Sequence, residues 1–129
     1  KDNVFNSYCE AVTARNLDAI YESNEIEVLK SVIQKNPNQN DIVLIADITS
    51  TIKDMILIDE ITKPIHIIAC PSKEPIKTDY LNLIYHSKGS LHTLDKDYLT
   101  IYKIRNGESV TIGKWRYKLS DNKFVLINN

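Results

Sequence analysis

The chain has 129 residues, 43% of them hydrophobic and 26% charged, with a formal charge of −1. That length supports one core, and a total of 3 Gly and 4 Pro excludes a linker or low-complexity chain. No basic block grips phosphates, so nucleic acid is not expected as a partner. The longest apolar run, Ile65 to Cys70, is too short to span a bilayer. Cys9 and Cys70 form no CxxC pair, which excludes a disulfide framework or zinc knuckle and favours two free thiols. The chain starts at Lys1 rather than Met, which reads as a piece or processed form and leaves the compartment open.

Val4, Phe5, Tyr8, Cys9 and Val12 recur at helical spacing behind Asn3, a good N-cap; residues 15–23 fit either a helical turn or a short extended piece. Asn24 is placed to cap a helix with Ile26, Leu29, Val32 and Ile33 on one face, ended by Asn36-Pro37 and followed by a polar loop to Asn40. Ile42–Ala46 is a continuous apolar run between Asp41 and Asp47, read as a strand covered on both faces, the mark of a parallel sheet. Thr49, Ser50 and Thr51 offer caps for a crossover helix burying Ile52, Met55, Ile56 and Ile61, ended by Lys63-Pro64. Ile65–Cys70 is then a second parallel strand.

Thr78 is expected to cap a helix bearing Leu81, Ile84 and Tyr85, with Gly89 at its C′ position. A short strand over Leu91–Leu94 follows, then a helix from Asp95 with Tyr98, Ile101 and Tyr102, stopped by Gly107. The rhythm then changes to short β runs, Val110–Ile112, Trp115–Leu119 and Phe124–Ile127, separated by Gly113 and Ser120-Asp121-Asn122. These read as antiparallel hairpins. Residues 1–107 form an α/β unit and 108–129 a hairpin extension of the same domain.

In an open parallel sheet, ligands bind beyond the carboxyl ends of the strands. That makes a binding rim of Asp47, Thr49, Ser50 and Thr51 after the first strand, and Cys70, Pro71, Ser72 and Lys73 after the second. A carboxylate followed by hydroxyls suits Mg²⁺ or Ca²⁺, with Asp47 as the ligand, although the same residues equally end a strand and cap a helix. Cys70 beside Lys73 has the ingredients of an activated thiol; packing at a strand end explains it as well, and no catalytic residue is assigned. The histidines, His66, His86 and His92, follow no zinc spacing. Trp115, Tyr117 and Phe124 serve either as a binding surface or, preferably, to fix the hairpins onto the α/β body. With Gly only at 89, 107 and 113, neither GxGxxG nor a P-loop can be written.

Several segments, taken in order, resemble the later half of a von Willebrand factor A-type domain. Glu22-Ser23-Asn24-Glu25-Ile26-Glu27-Val28-Leu29 is similar to the family's E-N-x-x-E-A-L helix, and Asp41 to Asp47 to the strand ending in its third metal-loop aspartate. Pro64-Ile65-His66-Ile67-Ile68-Ala69-Cys70 matches the next strand, and Leu81 to Ser90 resembles L-x-x-I-A-x-x-T-G-G. The resemblance covers about residues 22–105. It implies an α/β fold with an open, mostly parallel, Rossmann-like sheet flanked by helices, a non-enzymatic ligand- or protein-binding role, and completion by an upstream segment or an oligomer. Asp47 would stand where the family's third-loop Asp contributes to a divalent cation. Asp47-x-Thr49-x-Thr51 also imitates the family's DxSxS loop, but residues 1–21 are too few to supply the first strand, and Ile48 replaces the family's glycine. A receiver-like phosphoacceptor using Asp47 is the alternative, without the early acidic pair that holds Mg²⁺ in such domains.

Overall fold

The computed structural model describes residues 24–128, so the helix expected over 4–12 and the ambiguous segment 15–23 lie outside the described residues. The first sheet has the order β1 (Ile42–Ala46), β2 (Ile65–Ala69), β3 (Ser90–His92), β4 (Asp97–Tyr98). β1, β2 and β3 run parallel and β4 returns antiparallel to β3. The second sheet is the antiparallel meander β5 (Ser109–Ile112), β6 (Trp115–Ser120), β7 (Lys123–Asn128). Among the described residues, two α-helices, α1 (Glu25–Lys35) and α2 (Thr78–Ser87), complete a mixed α/β architecture.

β1 and β2 pair in step from Ile42↔Ile65 to Ala46↔Ala69. Side chains alternate across a strand, so Ile42, Ala46, Ile65, Ile67, Ala69 and Leu91 share one face. That face joins Ile26, Leu29 and Ile33 of α1, Tyr80, Leu81 and Ile84 of α2, and Tyr117, Leu119 and Phe124 of the second sheet in one core. Among the described residues, the expected cover on both faces of β1 is not seen. Val43 is 58% exposed, and Ile45, His66, Ile68 and His92 are only half-buried. An unbroken apolar run suggested two-sided burial, yet both helices add to the one core, which lies against the Ile42/Ile65 face.

The connection between β1 and β2 is also corrected. In place of an α-helix, residues 47–54 are irregular and a 3₁₀ turn spans Met55–Glu60, with Ile56 90% exposed rather than on a buried face. Thr49, Thr51, Ile52, Ile56 and Ile58 are β-branched and weak helix formers. Distant groups hold the segment as well. The Ile52 N–H donates to Asp79 Oδ2 (3.1 Å), and Asp54 accepts from the Ile26 and Glu27 N–H groups (3.1 and 2.8 Å). Asp54 is therefore the tertiary cap of α1, and Asn24, expected to cap it, makes no side-chain cap bond. Similarly Lys77, not Thr78, is the N-cap of α2.

The expected strand over Leu91–Leu94 shortens to β3. The helix expected after Asp95 is replaced by β4 and a 3₁₀ turn at Ile101–Lys103. Thr93 explains the change: its N–H and hydroxyl both donate to Lys96 O (3.0 Å each), and the Lys96 N–H donates back to Thr93 Oγ1 (3.2 Å). That four-residue turn sends β4 back along β3. Gly89 follows α2 as expected, but the left-handed residue is Lys88 (φ 62°). Gly89 is required by space, since a Cβ there would lie 1.7 Å from Ile65 O.

Candidate functional site

The parallel pairing brings the two rim segments to the same end of the sheet, with the Cys70 N–H donating to Ala46 O (3.2 Å). From there they divide. Asp47 is exposed and closes a local turn, its Oδ1 accepting from the Thr49 N–H (3.1 Å) and the Thr49 hydroxyl (2.7 Å). This is an Asx turn, a common use of Asp at the end of a strand. Thr49 and Ser50 are half-buried and Thr51 is exposed. Ser50 lies within hydrogen-bonding reach of the Tyr80 phenol, which also donates to Glu25 Oε1 (3.0 Å). Burial, and then the Glu25 carboxylate, push the Tyr80 phenol well above its ordinary range, so it remains a neutral donor that ties α2 to the start of α1. In the first half of the rim, Asp47 and Thr49 thus close a local turn and Ser50 meets α2 at Tyr80.

The second half opens onto a groove of about 600 Å³. Half-buried Cys70 and exposed Ser72 and Lys73 line one side; Leu94 and Tyr98 lie beyond them, and Trp115 of β6 is among the residues opposite. Of residues 47–51, only Ile48 reaches this groove. Ser72 Oγ accepts from the Glu74 N–H (3.0 Å), which shapes the loop leaving β2. The charged lining is mixed, with Lys73 and Lys114 against Glu74 and Asp95.

The aromatic residues divide in the same way. Tyr117 and Phe124 fix the second sheet to the body. The buried Tyr117 hydroxyl donates to Ile76 O (2.9 Å), Phe124 meets Tyr85 edge-on at 5.9 Å, and the Phe124 N–H donates to Asn82 Oδ1 (2.7 Å). Burial pushes the Tyr117 phenol up to about 12. Trp115, half-buried, faces the groove instead.

On the face of the first sheet away from the core, the structure assembles a group that sequence reasoning left scattered. Ser90 Oγ lies 2.6 Å from His66 Nδ1 and 2.7 Å from His92 Nε2. The outer nitrogens of the same rings meet carboxylates, His66 Nε2 at 3.1 Å from Asp41 Oδ1 and His92 Nδ1 at 2.8 Å from Asp97 Oδ1. The result is a chain Asp41–His66–Ser90–His92–Asp97 running across β2, β3 and β4. One signal was present in the sequence, since Ser90 and His92 are two apart and so share a strand face. His66 joins them only through the register His66↔Ser90, which no local pattern encodes.

Ser90, His92 and Asp97 follow the atom order of a hydrolytic triad. Ser90 is nevertheless 4% exposed and held from both sides by imidazoles, so its hydroxyl offers no open line of attack. His86 stands apart on α2, 3.7 Å from Asp59. Among the described residues, no group of three or more His, Cys, Asp or Glu side chains is arranged to hold a metal ion, and no helix is long and apolar enough to cross a membrane.

No family model matches this chain, and neither a curated protein nor a solved structure is significantly similar to it.

Proposed function

We propose that this chain is a non-enzymatic binding module, resembling a Rossmann-like von Willebrand factor A-type domain, that takes a protein segment in the groove beside Cys70, Ser72 and Lys73. One observation carries the reading: the groove lies where the carboxyl end of β2 meets the turn between β5 and β6, with an aromatic wall and charges of both signs. Ligands of open α/β sheets favour this end, where loops diverge and backbone groups are left unpaired. Apolar Ile76, Leu94 and Trp115 would take a hydrophobic side chain, while Lys73, Lys114, Glu74 and Asp95 would orient a polar backbone or charged neighbours. The order of parallel strands supports the family comparison. Asp47 is not part of the proposed surface, because its carboxylate already closes the turn at Thr49.

Trp115 is the only tryptophan in the chain, so its fluorescence reports on the groove directly. The test is selection from a random peptide library displayed on phage, followed by titration of the enriched peptides. Binding peptides should shift Trp115 emission and lose most of their affinity to Trp115→Ala and Lys73→Glu variants. Peptides that bind those variants as well as the parent protein, or a library that yields no enrichment, would reject the groove.

A further inference from the structure

The geometry points to a second site on the opposite face of the sheet: a divalent late-transition-metal site, of the Zn²⁺ type, formed by His66 Nδ1, His92 Nε2 and the Ser90 hydroxyl. The argument begins with a count of protons. Asp41 and Asp97 sit at the outer nitrogens of the two rings and, as carboxylates, only accept; each imidazole in its neutral form therefore places its N–H outward and its lone pair inward. Both inward lone pairs aim at one hydroxyl, 2.6 and 2.7 Å away. Ser90 has a single proton and satisfies only one of them. Three electron-rich atoms thus converge with one positive centre too few, and a cation completes the arrangement.

The surroundings select the kind of cation. Imidazole nitrogens suit Zn²⁺, Cu²⁺ and Ni²⁺, whereas Mg²⁺ and Ca²⁺ prefer oxygen ligands. Histidine ligands of metals almost always donate their other ring nitrogen to a carboxylate or carbonyl, which fixes tautomer and ring orientation; here both do. The ligands stand on paired strands, His66 opposite Ser90 and Ile68 opposite His92, so their spacing is set by the sheet rather than by a loop. The rings lie 6.5 Å apart between centroids, and the side chains keep 28% and 29% of their surface exposed, which places the two histidines at the protein surface. Tetrahedral ligand atoms about 2.0–2.1 Å from zinc stand roughly 3.3 Å from one another. The present contacts of 2.6 and 2.7 Å would each lengthen by about 0.6–0.7 Å to reach that spacing. Two histidines and a hydroxyl leave the fourth position to water.

The test titrates the whole chain with ZnCl₂ in a non-chelating buffer, with MgCl₂ as control, and follows the melting temperature together with long-range ¹H–¹⁵N spectra of the imidazoles. Zn²⁺ should raise the melting temperature saturably and shift the His66 and His92 ring nitrogens, leaving His86 unmoved; Mg²⁺ should do neither. His66→Asn and His92→Asn should each abolish the rise, His86→Asn should keep it, and Asp41→Asn or Asp97→Asn should weaken Zn²⁺ about 10- to 100-fold through the ring partner. Unmoved His66 and His92 resonances at saturating Zn²⁺ would overturn the site whatever the variants do, since that measurement needs only the parent protein. A melting shift that survives in both histidine variants would overturn it equally.

Discussion

Replacing Gly89 by alanine adds one methyl group at the most confined point of the first sheet. The new Cβ would lie 1.7 Å from Ile65 O, 2.6 Å from Ile65 C and 2.9 Å from Ile65 N, all backbone atoms of the first residue of β2. An unstrained contact needs well over 3 Å, so the two chain segments must separate by roughly 1.5 Å. No rotamer change relieves a clash with backbone. The separation would fall beside the pairs His66↔Ser90 and Ile67↔Leu91, and beside the Ser87 hydroxyl that accepts the Ile65 N–H. Ordinary overpacking costs about 1–3 kcal/mol. Here the cost should reach at least about 3 kcal/mol, a large share of the roughly 5–15 kcal/mol that holds a domain of this size together. Urea denaturation followed by circular dichroism measures it, with Gly113→Ala as the comparison. Gly113 also lies in a tight turn, at φ 63°, but nothing is within 4 Å of its Cβ position, so only the conformational cost of about 1 kcal/mol applies. A Gly89→Ala protein within about 1 kcal/mol of the parent would refute the steric argument.

The crossover gives a paired prediction. Ile52→Ala should cost about 2–5 kcal/mol because Ile52 is buried, whereas Ile56→Ala, on a side chain facing solvent, should change stability by less than about 0.5 kcal/mol. Equal losses in urea titrations would mean that residues 52–61 form the helix suggested by their spacing. Asp54→Ala should cost about 1–2 kcal/mol by freeing two N–H groups of α1, and amide exchange at Ile26 and Glu27 should quicken; unchanged exchange would deny the tertiary cap. The raised Tyr117 phenol sets an alkaline limit. Its folded-state value lies above its unfolded one, so its contribution is complete below about pH 10 and is lost as pH rises through about 12. A two-unit shift corresponds to about 2–3 kcal/mol. Stability measured from pH 8 to 11.5 should therefore fall more steeply in the parent protein than in Tyr117→Phe, and parallel profiles would contradict the burial argument.

Much of the first sheet was legible because its signals are local. Five apolar residues between aspartates fixed β1, Pro64 and a similar run fixed β2, and Asp121-Asn122, both at positive φ, marked the turn between β6 and β7. That Cys70, Ser72 and Lys73 stand at the same end of the sheet as Asp47 followed from strand direction alone. Two elements failed, one because its backbone groups are satisfied from far away and one because a local turn intervenes. Residues 49–61 carried helical spacing, but their conformation depends on Asp79 and on the demand of α1 for a cap. Residues 93–104 carried it too, but the side chain of Thr93 turned the chain first. The role of Asp54 illustrates the limit, since nothing next to a carboxylate in the sequence tells which helix end it will meet.

What the sequence by itself determined was the parallel pair β1 and β2, the antiparallel hairpins at the C-terminal end and the end of the sheet where loops gather, since hydrophobic runs and chain breaks are properties of neighbouring residues. Tertiary structure alone decided which face of β1 is covered, which half of the rim remains open, and that His66 stands beside Ser90 and His92. Those outcomes depend on register and on hydrogen bonds between residues 24 to 28 positions apart, such as the bond of Asp41 to His66 and of Asp54 to Ile26. A shift of one residue between β2 and β3 would turn His66 to the other face, away from its serine, and no pattern within either strand records which register is right.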